Sequence, residues 1–219
     1  MRSLTALVLC EYSDTVGSAL RRHGFETITN DLLPTEGDSD LHIQGDCFDA
    51  MRMAFKNTDL IIMHPPCTAL AVSGNGTYAK GKPKHSERLA SIDWTTKLFE
   101  AAKAAATYVC MENPVGILPF KPTQYIQPWE HGHPEQKKTG LWLHNLPKLK
   151  PTDIVHDEMM TLPRSERERT WYMSPSENRG HERSKTFPGI ADALAKQFAT
   201  HIKQDEMLTL KARGKERKK

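Results

Sequence analysis

A cysteine stands behind two prolines in His64-Pro65-Pro66-Cys67, directly after the short apolar run Leu60-Ile61-Ile62-Met63. Proline fixes φ, so Pro65 and Pro66 stiffen the turn that presents the thiol. A thiol held in that way is a candidate nucleophile, because the thiolate attacks well and nearby cations lower its pKa. His64 and the lysines Lys80, Lys82 and Lys84 are the expected positive surroundings. A second apolar run, Tyr108-Val109-Cys110-Met111, ends in Glu112-Asn113-Pro114. Glu112 suits proton donation where partial burial raises its pKa. Each residue alone has a plainer reading, a packed loop cysteine or a surface carboxylate. If the two runs are neighbouring strands, nucleophile and acid share one edge.

Three further runs end in polar groups. Glu11 follows Leu4 to Cys10, Asn30-Asp31 follows Glu26 to Thr29, and Gly45-Asp46 follows Leu41 to Gln44. Open α/β sheets bind ligands outside the carboxyl ends of their strands. An acid after the second strand is placed for ribose hydroxyls, and one after the third for an adenine amine. Helix capping explains any one of these acids equally well. The GxGxxG phosphate fingerprint is missing, since Glu11-Tyr12-Ser13-Asp14 stand in its place, and there is no GxxxxGK[ST] loop. A pyrophosphate is poorly served by such a site. S-adenosylmethionine, with an adenosine and a positive centre, suits carboxylates better.

These groups must be positioned by strands alternating with helices. Ser13-Asp14 predicts an N-cap for a helix carrying Val16, Ala19 and Leu20 and ending at Gly24. Asp49 to Phe55 predicts a brief helix. Ser86 to Ala106 predicts a long one with Leu89, Ile92, Phe99 and Ala102 inward. Leu141-Trp142-Leu143 reads as a sixth strand. Pro188 opens a last helix with Ala191, Leu194, Ala195, Phe198 and Ile202 on one face. The alternation predicts an α/β fold with a doubly wound, mostly parallel sheet. Two segments, 71–85 and 145–187, show no clear element.

The 219 residues suit one domain with its own core. No apolar run approaches the ~20 residues of a membrane span, and no charged-then-apolar leader opens the chain, so a cytoplasmic protein is expected. Cys10, Cys47, Cys67 and Cys110 form no CxxC pair, and His131 and His133 lack HExxH-type spacing, so no metal site is expected. Charge is uneven. Residues 1–75 hold 5 basic and 10 acidic residues, whereas 76–219 hold 25 and 17. A basic second half suits contact with a polyanion. Residues 209–219, with six basic residues and one acid, are expected to be a disordered tail.

At the two sharpest motifs the sequence resembles the DNA (cytosine-5) methyltransferases. Asp59 to Cys67 looks like that family's Pro-Pro-Cys nucleophile motif, and Met111-Glu112-Asn113-Pro114 like its Glu-Asn-Val motif with proline in the last place. Gly132 to Lys138 resembles its Gly-x-Pro-Gln-x-Arg-x-Arg segment with lysines for arginines. Cys10 to Gly24 is similar to the cofactor-binding first turn without its glycines, and Phe187-Pro188-Gly189-Ile190 to the closing motif. The resemblance implies a Rossmann-like methyltransferase domain over 1–208, with 145–187 as a small recognition-like insertion. It implies S-adenosylmethionine as cofactor, held by Glu11, Tyr12, Ser13, Asp31, Leu32, Asp46, Cys47, His64 and Pro65. It further implies that Cys67, presented by Pro66, adds to C6 of a cytosine in DNA while Glu112 contacts N3. Asn113 would hold the loop or the base, with Lys137 beside them. Lys138, Arg179 and Arg183 would meet the nucleic acid, a flipped duplex base or a single strand.

The insertion is short for the family and resembles compact members encoded by phages and mobile elements. It carries Arg164, Arg167, Arg169, Trp171, Tyr172, Arg179, Arg183 and Lys185, diluted by Glu166, Glu168, Glu177 and Glu182. Rival readings are a free cytosine nucleotide as substrate, methylation of an exocyclic amine (N4 or N6), or a non-catalytic nucleic-acid-binding protein. Amine methylation sits poorly with Cys67, where those enzymes usually carry an aromatic.

Overall fold

A computed structural model of the chain describes residues 2–174, 176 and 179–216, with side chains to residue 212. Glu177 lies outside the described residues. Seven strands, β1 (Leu4–Leu9), β2 (Phe25–Asp31), β3 (His42–Gln44), β4 (Thr58–Met63), β5 (Ala106–Pro114), β6 (Gln124–Ile126) and β7 (Thr139–His144), form one sheet in the order β3-β2-β1-β4-β5-β7-β6. The pairs from β3 to β5 are parallel, and β7 runs antiparallel to both β5 and β6. This is a doubly wound, mostly parallel sheet of the Rossmann-like type.

The central strands carry continuous apolar runs, Ala6 to Leu9, Leu60 to Met63 and Tyr108 to Met111, because both faces are covered there. Ala6, Val8, Leu60, Ile62 and Cys110 face one side, where α1 (Thr15–Arg22) and the last helix bury Val16, Leu20, Leu194 and Phe198. Leu7, Leu9, Ile61, Met63, Val109 and Met111 face the other. There α2 (Cys47–Met53) and, beyond α3 (Asn75–Tyr78), α4 (His85–Ala105) supply Cys47, Leu98, Phe99 and Ala102. Four short helices follow β7: α5 (His156–Thr161), α6 (Arg164–Arg167), α7 (Arg169–Tyr172) and α8 (Arg179–Ser184). The last, α9 (Pro188–Glu216), begins at the expected proline and buries Ala191, Leu194, Ala195, Phe198 and Ile202. Residues 209–216 are its final turns, and 217–219 lie outside the described residues. No helix of the described residues is long and apolar enough to cross a membrane.

Several expectations are corrected. Leu89 is exposed, and Arg88 takes the inward position. The sixth strand of the sequence reading is the seventh, because three residues between Pro122 and Pro128 pair with it as β6. The segment 145–187 carries four helices of four to six residues, too short to leave a period in the sequence.

Candidate active site

The strand order reverses between β1 and β4, and Leu9 pairs with Met63 at the carboxyl end of that junction. Such a reversal opens a crevice above the sheet. In the next register Met63 pairs with Met111, which sets His64 beside Glu112. A cleft of about 590 Å³ lies there, walled by Glu11, Tyr12, Ser13, His64, Pro65, Pro66, Cys67, Glu112, Asn113, Lys137 and Arg183. A second cleft, about 1110 Å³, opens beyond Cys67 and is lined by Tyr78, Gln136, Trp171 and Arg183 among others. Cys67, Pro114, Lys137, Arg183 and Ser184 border both.

The Cys67 turn is tied on every side. The His64 N–H donates to Leu9 O at 3.0 Å, and Leu70 and Ala71 N–H groups donate to Cys67 O at 3.0 and 2.8 Å. Asn113, which is buried, donates its Nδ2 to Pro65 O at 2.8 Å. Arg88, also buried, donates to Ala69 O at 2.7 Å, to Asn75 Oδ1 at 2.8 Å and to Ala71 O at 3.2 Å. Gly116 lets the chain after β5 run against this turn, since a Cβ there would lie 2.6 Å from Leu70 O. Arg88 escaped the sequence reading. Its signal was the spacing Arg88, Thr95, Ala102, an inward stripe of α4 headed by an arginine.

Charge at the site differs from expectation. Burial pushes the Glu112 carboxyl up, but His64 Nδ1 at 3.3 Å and the Lys137 ammonium outweigh it and hold the group below its usual range. Glu112 is therefore a carboxylate at rest, where the sequence predicted a raised, proton-donating acid. Burial likewise lowers His64, yet Glu112 and, behind it, Glu11 outweigh that and raise the imidazole. Burial and the Glu112 charge raise the Cys67 thiol against Lys137 and Arg183. The expected depression by Lys80, Lys82 and Lys84 is not found, since those lysines line neither cleft.

The remaining candidates divide. Glu11 is buried and spends both oxygens on α1, accepting from Val16 N–H at 2.7 Å and Gly17 N–H at 3.0 Å. Asp31 accepts from Leu33 N–H at 3.0 Å, and Asp46 caps α2 through Phe48 N–H at 2.8 Å and Asp49 N–H at 3.3 Å. Both use Oδ1 alone. Asp31, Leu32, Asp46 and Cys47 stand outside the 590 Å³ cleft, with Leu32 73% exposed. Lys137 donates to Arg183 O at 2.9 Å and so pins α8 over the cleft. Lys185 strengthens that roof by pairing with Glu36 at 2.9 Å and Glu182 at 3.0 Å, and His181 meets the edge of the Tyr12 ring. Arg179 donates to Trp171 O at 3.1 Å. Lys138 points elsewhere, its ammonium 4.6 Å from the centre of the Tyr125 ring and outside both clefts.

These residues fit S-adenosylmethionine in its adenosine half. Asp31 and Asp46 each keep one oxygen without a partner among the described residues, and the Leu32 side chain next to Asp31 in the chain is exposed. His64 Nε2 and Asn113 Oδ1, buried in the cleft wall, also have no partner among the described residues.

No family model and no curated protein matches the chain. Among solved structures it is similar to DNMT2 from Spodoptera frugiperda, in a variant with three alanine substitutions, at 17% identity and a TM-score of 0.38. The match covers 70% of this chain and 54% of that one, so the chain spans about half the length of the structure it matches.

Proposed function

We propose that the protein transfers a methyl group from S-adenosylmethionine to C5 of cytosine in DNA, through a transient bond between Cys67 and C6. The observation that carries this reading is the seam between the two clefts. A stiffened thiol and a buried carboxylate share the wall of the inner cleft, and the outer cleft offers Trp171, Tyr78 and Arg183 to an unstacked base and its phosphate. Asp31, Leu32 and Asp46 would hold the adenosine, and the bound cofactor would supply an electrophilic methyl group. Cys67 adds to C6 as Glu112 engages N3, which makes C5 nucleophilic. Asn113 and Arg88 keep the thiol in place, and α8 excludes water from above. Lys137 fixes that roof and places a positive charge near Glu112.

Fluorine at C5 cannot leave as a proton, so DNA containing 5-fluorocytosine should trap the enzyme in a complex that survives denaturing electrophoresis. Trapping should require S-adenosylmethionine, vanish in Cys67→Ser and slow greatly in Glu112→Gln. Labelled methyl transfer to DNA, RNA and dCMP then assigns the substrate. An active preparation that never traps, or one still active as Cys67→Ser, refutes the C5 mechanism and favours amine methylation.

A further inference from the structure

Glu112 at rest is in the wrong state for the task just assigned to it. Neutral cytosine presents an unprotonated N3, an acceptor, and a carboxylate facing it repels rather than binds. A proton has to reach Glu112 when the base arrives. Its source must be close, because Glu112 is buried with 16% of its side chain exposed. Two side chains act on it directly, the Thr139 hydroxyl and His64, and of these only His64 can store a proton: its Nδ1 lies 3.3 Å from Glu112 Oε2. The imidazole is itself nine-tenths buried, and its other nitrogen, Nε2, has no partner among the described residues although it lines the cleft.

The charged groups facing His64 agree with a stored proton. Glu112 approaches from β5 and Glu11 from the end of β1, both acidic, while Lys137 before β7 is the opposing cation. Glu11 is the farther acid and is already bonded to α1, so it steadies the charge without taking the proton.

We propose that His64 is the proton store of this site, a positioning residue that acts through Glu112. This rests on the C5 reading above. The proton balance closes without an outside donor. When a base enters, the proton passes from His64 Nδ1 to Glu112, and Glu112 donates it to N3. Addition of Cys67 to C6 breaks the S–H bond and releases one proton, which the now neutral imidazole takes up. The C5=C6 pair moves to C5 and bonds the methyl carbon as that carbon's bond to the donor's sulfonium sulfur breaks, the pair staying on sulfur. Solvent then takes the C5 proton, whose bonding pair re-forms C5=C6 as the C6–S pair returns to sulfur. His64 protonates the thiolate, N3 returns its proton to Glu112, and Glu112 passes it to the neutral imidazole, which restores the resting pair.

The test has a readout independent of turnover. In histidine-labelled full-length protein, NMR titration should place His64, identified by the signal lost in His64→Asn or His64→Gln, above the ordinary imidazole value of about 6.5. In Glu112→Gln it should fall below that value, because burial then acts with less opposition. A His64 that titrates at or below 6.5 in the wild type overturns the proposal, whether or not methyl transfer is seen. His64→Asn keeps an N–H donor toward Glu112 but stores no proton. Its kcat should fall about a hundredfold, with KM for the methyl donor little changed. The wild-type kcat should decline as pH rises through the His64 pKa, and that alkaline limb should be missing from the variant. An unchanged rate and profile in a folded His64→Asn also overturns the proposal. If the wild type methylates no nucleic acid or nucleotide, the reading of the reaction falls, and the titration still decides the pair.

Discussion

Arg88 offers a direct test of how the Cys67 turn is held. It is 5% exposed, and its guanidinium meets no carboxylate; its partners are two backbone carbonyls and the Asn75 amide oxygen. Arg88→Met keeps the length and apolar stem of the side chain but removes all three bonds. A hydrogen bond from a charged donor contributes about 1.5–3 kcal/mol, so three represent about 4–9 kcal/mol in gross terms. Releasing a buried guanidinium offsets several kcal/mol of that. The balance is a loss of about 2–4 kcal/mol, which a domain stable by about 5–15 kcal/mol survives. Urea unfolding measures the loss. Alkylation of Cys67 by iodoacetamide, followed by peptide mass spectrometry, measures whether the turn opens locally, and the rate should rise several-fold. Arg88→Lys has one donor head in place of a fork and should recover less than half of either effect. Stability within about 0.5 kcal/mol of wild type, together with unchanged alkylation, would refute the clamp.

Asp46→Asn preserves an N-cap for α2 while removing the charged acceptor, so S-adenosylmethionine binding by calorimetry should weaken about tenfold at unchanged stability. Equal affinity would remove Asp46 from the adenosine site. Gly116→Ala places a methyl group 2.6 Å from Leu70 O and should destabilise the fold by about 1–3 kcal/mol and lower the rate of trapping. Normal stability and trapping would show that the chain after β5 yields freely. Burial, with help from His133, depresses His131 to about 4. The folded state then binds fewer protons than the unfolded state between about pH 6.5 and 4, so stability is complete above pH 6.5 and falls below it. At pH 5 this contributes a loss of about 2 kcal/mol relative to pH 7.5, which His131→Gln should remove from the urea midpoint series. A parallel decline in both proteins would assign the acid sensitivity elsewhere. Deleting 209–219 removes six basic residues and should flatten the salt dependence of DNA binding while transfer persists. Loss of all transfer in a folded truncation would make the end of α9 part of the site.

The parallel core was legible because strands covered on both faces need continuous apolar runs, as Ala6 to Leu9, Leu60 to Met63 and Tyr108 to Met111 are. The short β6 was not, since three residues between prolines carry no period and take their register from β7. The roof was equally hidden: Lys137 reaching Arg183 O joins residues 46 positions apart, and nothing local in either segment announces it.

The acids at the strand ends are the most instructive case, because the sequence offered one description for groups that the fold sends to different ends. Glu11 gives both oxygens to the first turn of α1. Asp31 and Asp46 give one oxygen each to the backbone and keep the other, so capping and ligand binding coexist in them. Glu112 has no helix to cap and meets an imidazole instead. What separates these fates is the distance from each carboxylate to the nearest unpaired N–H, a quantity fixed by the turn that follows each strand. Residue type and strand position alone do not contain it. The turn, more than the acid, decides which carboxylates remain available.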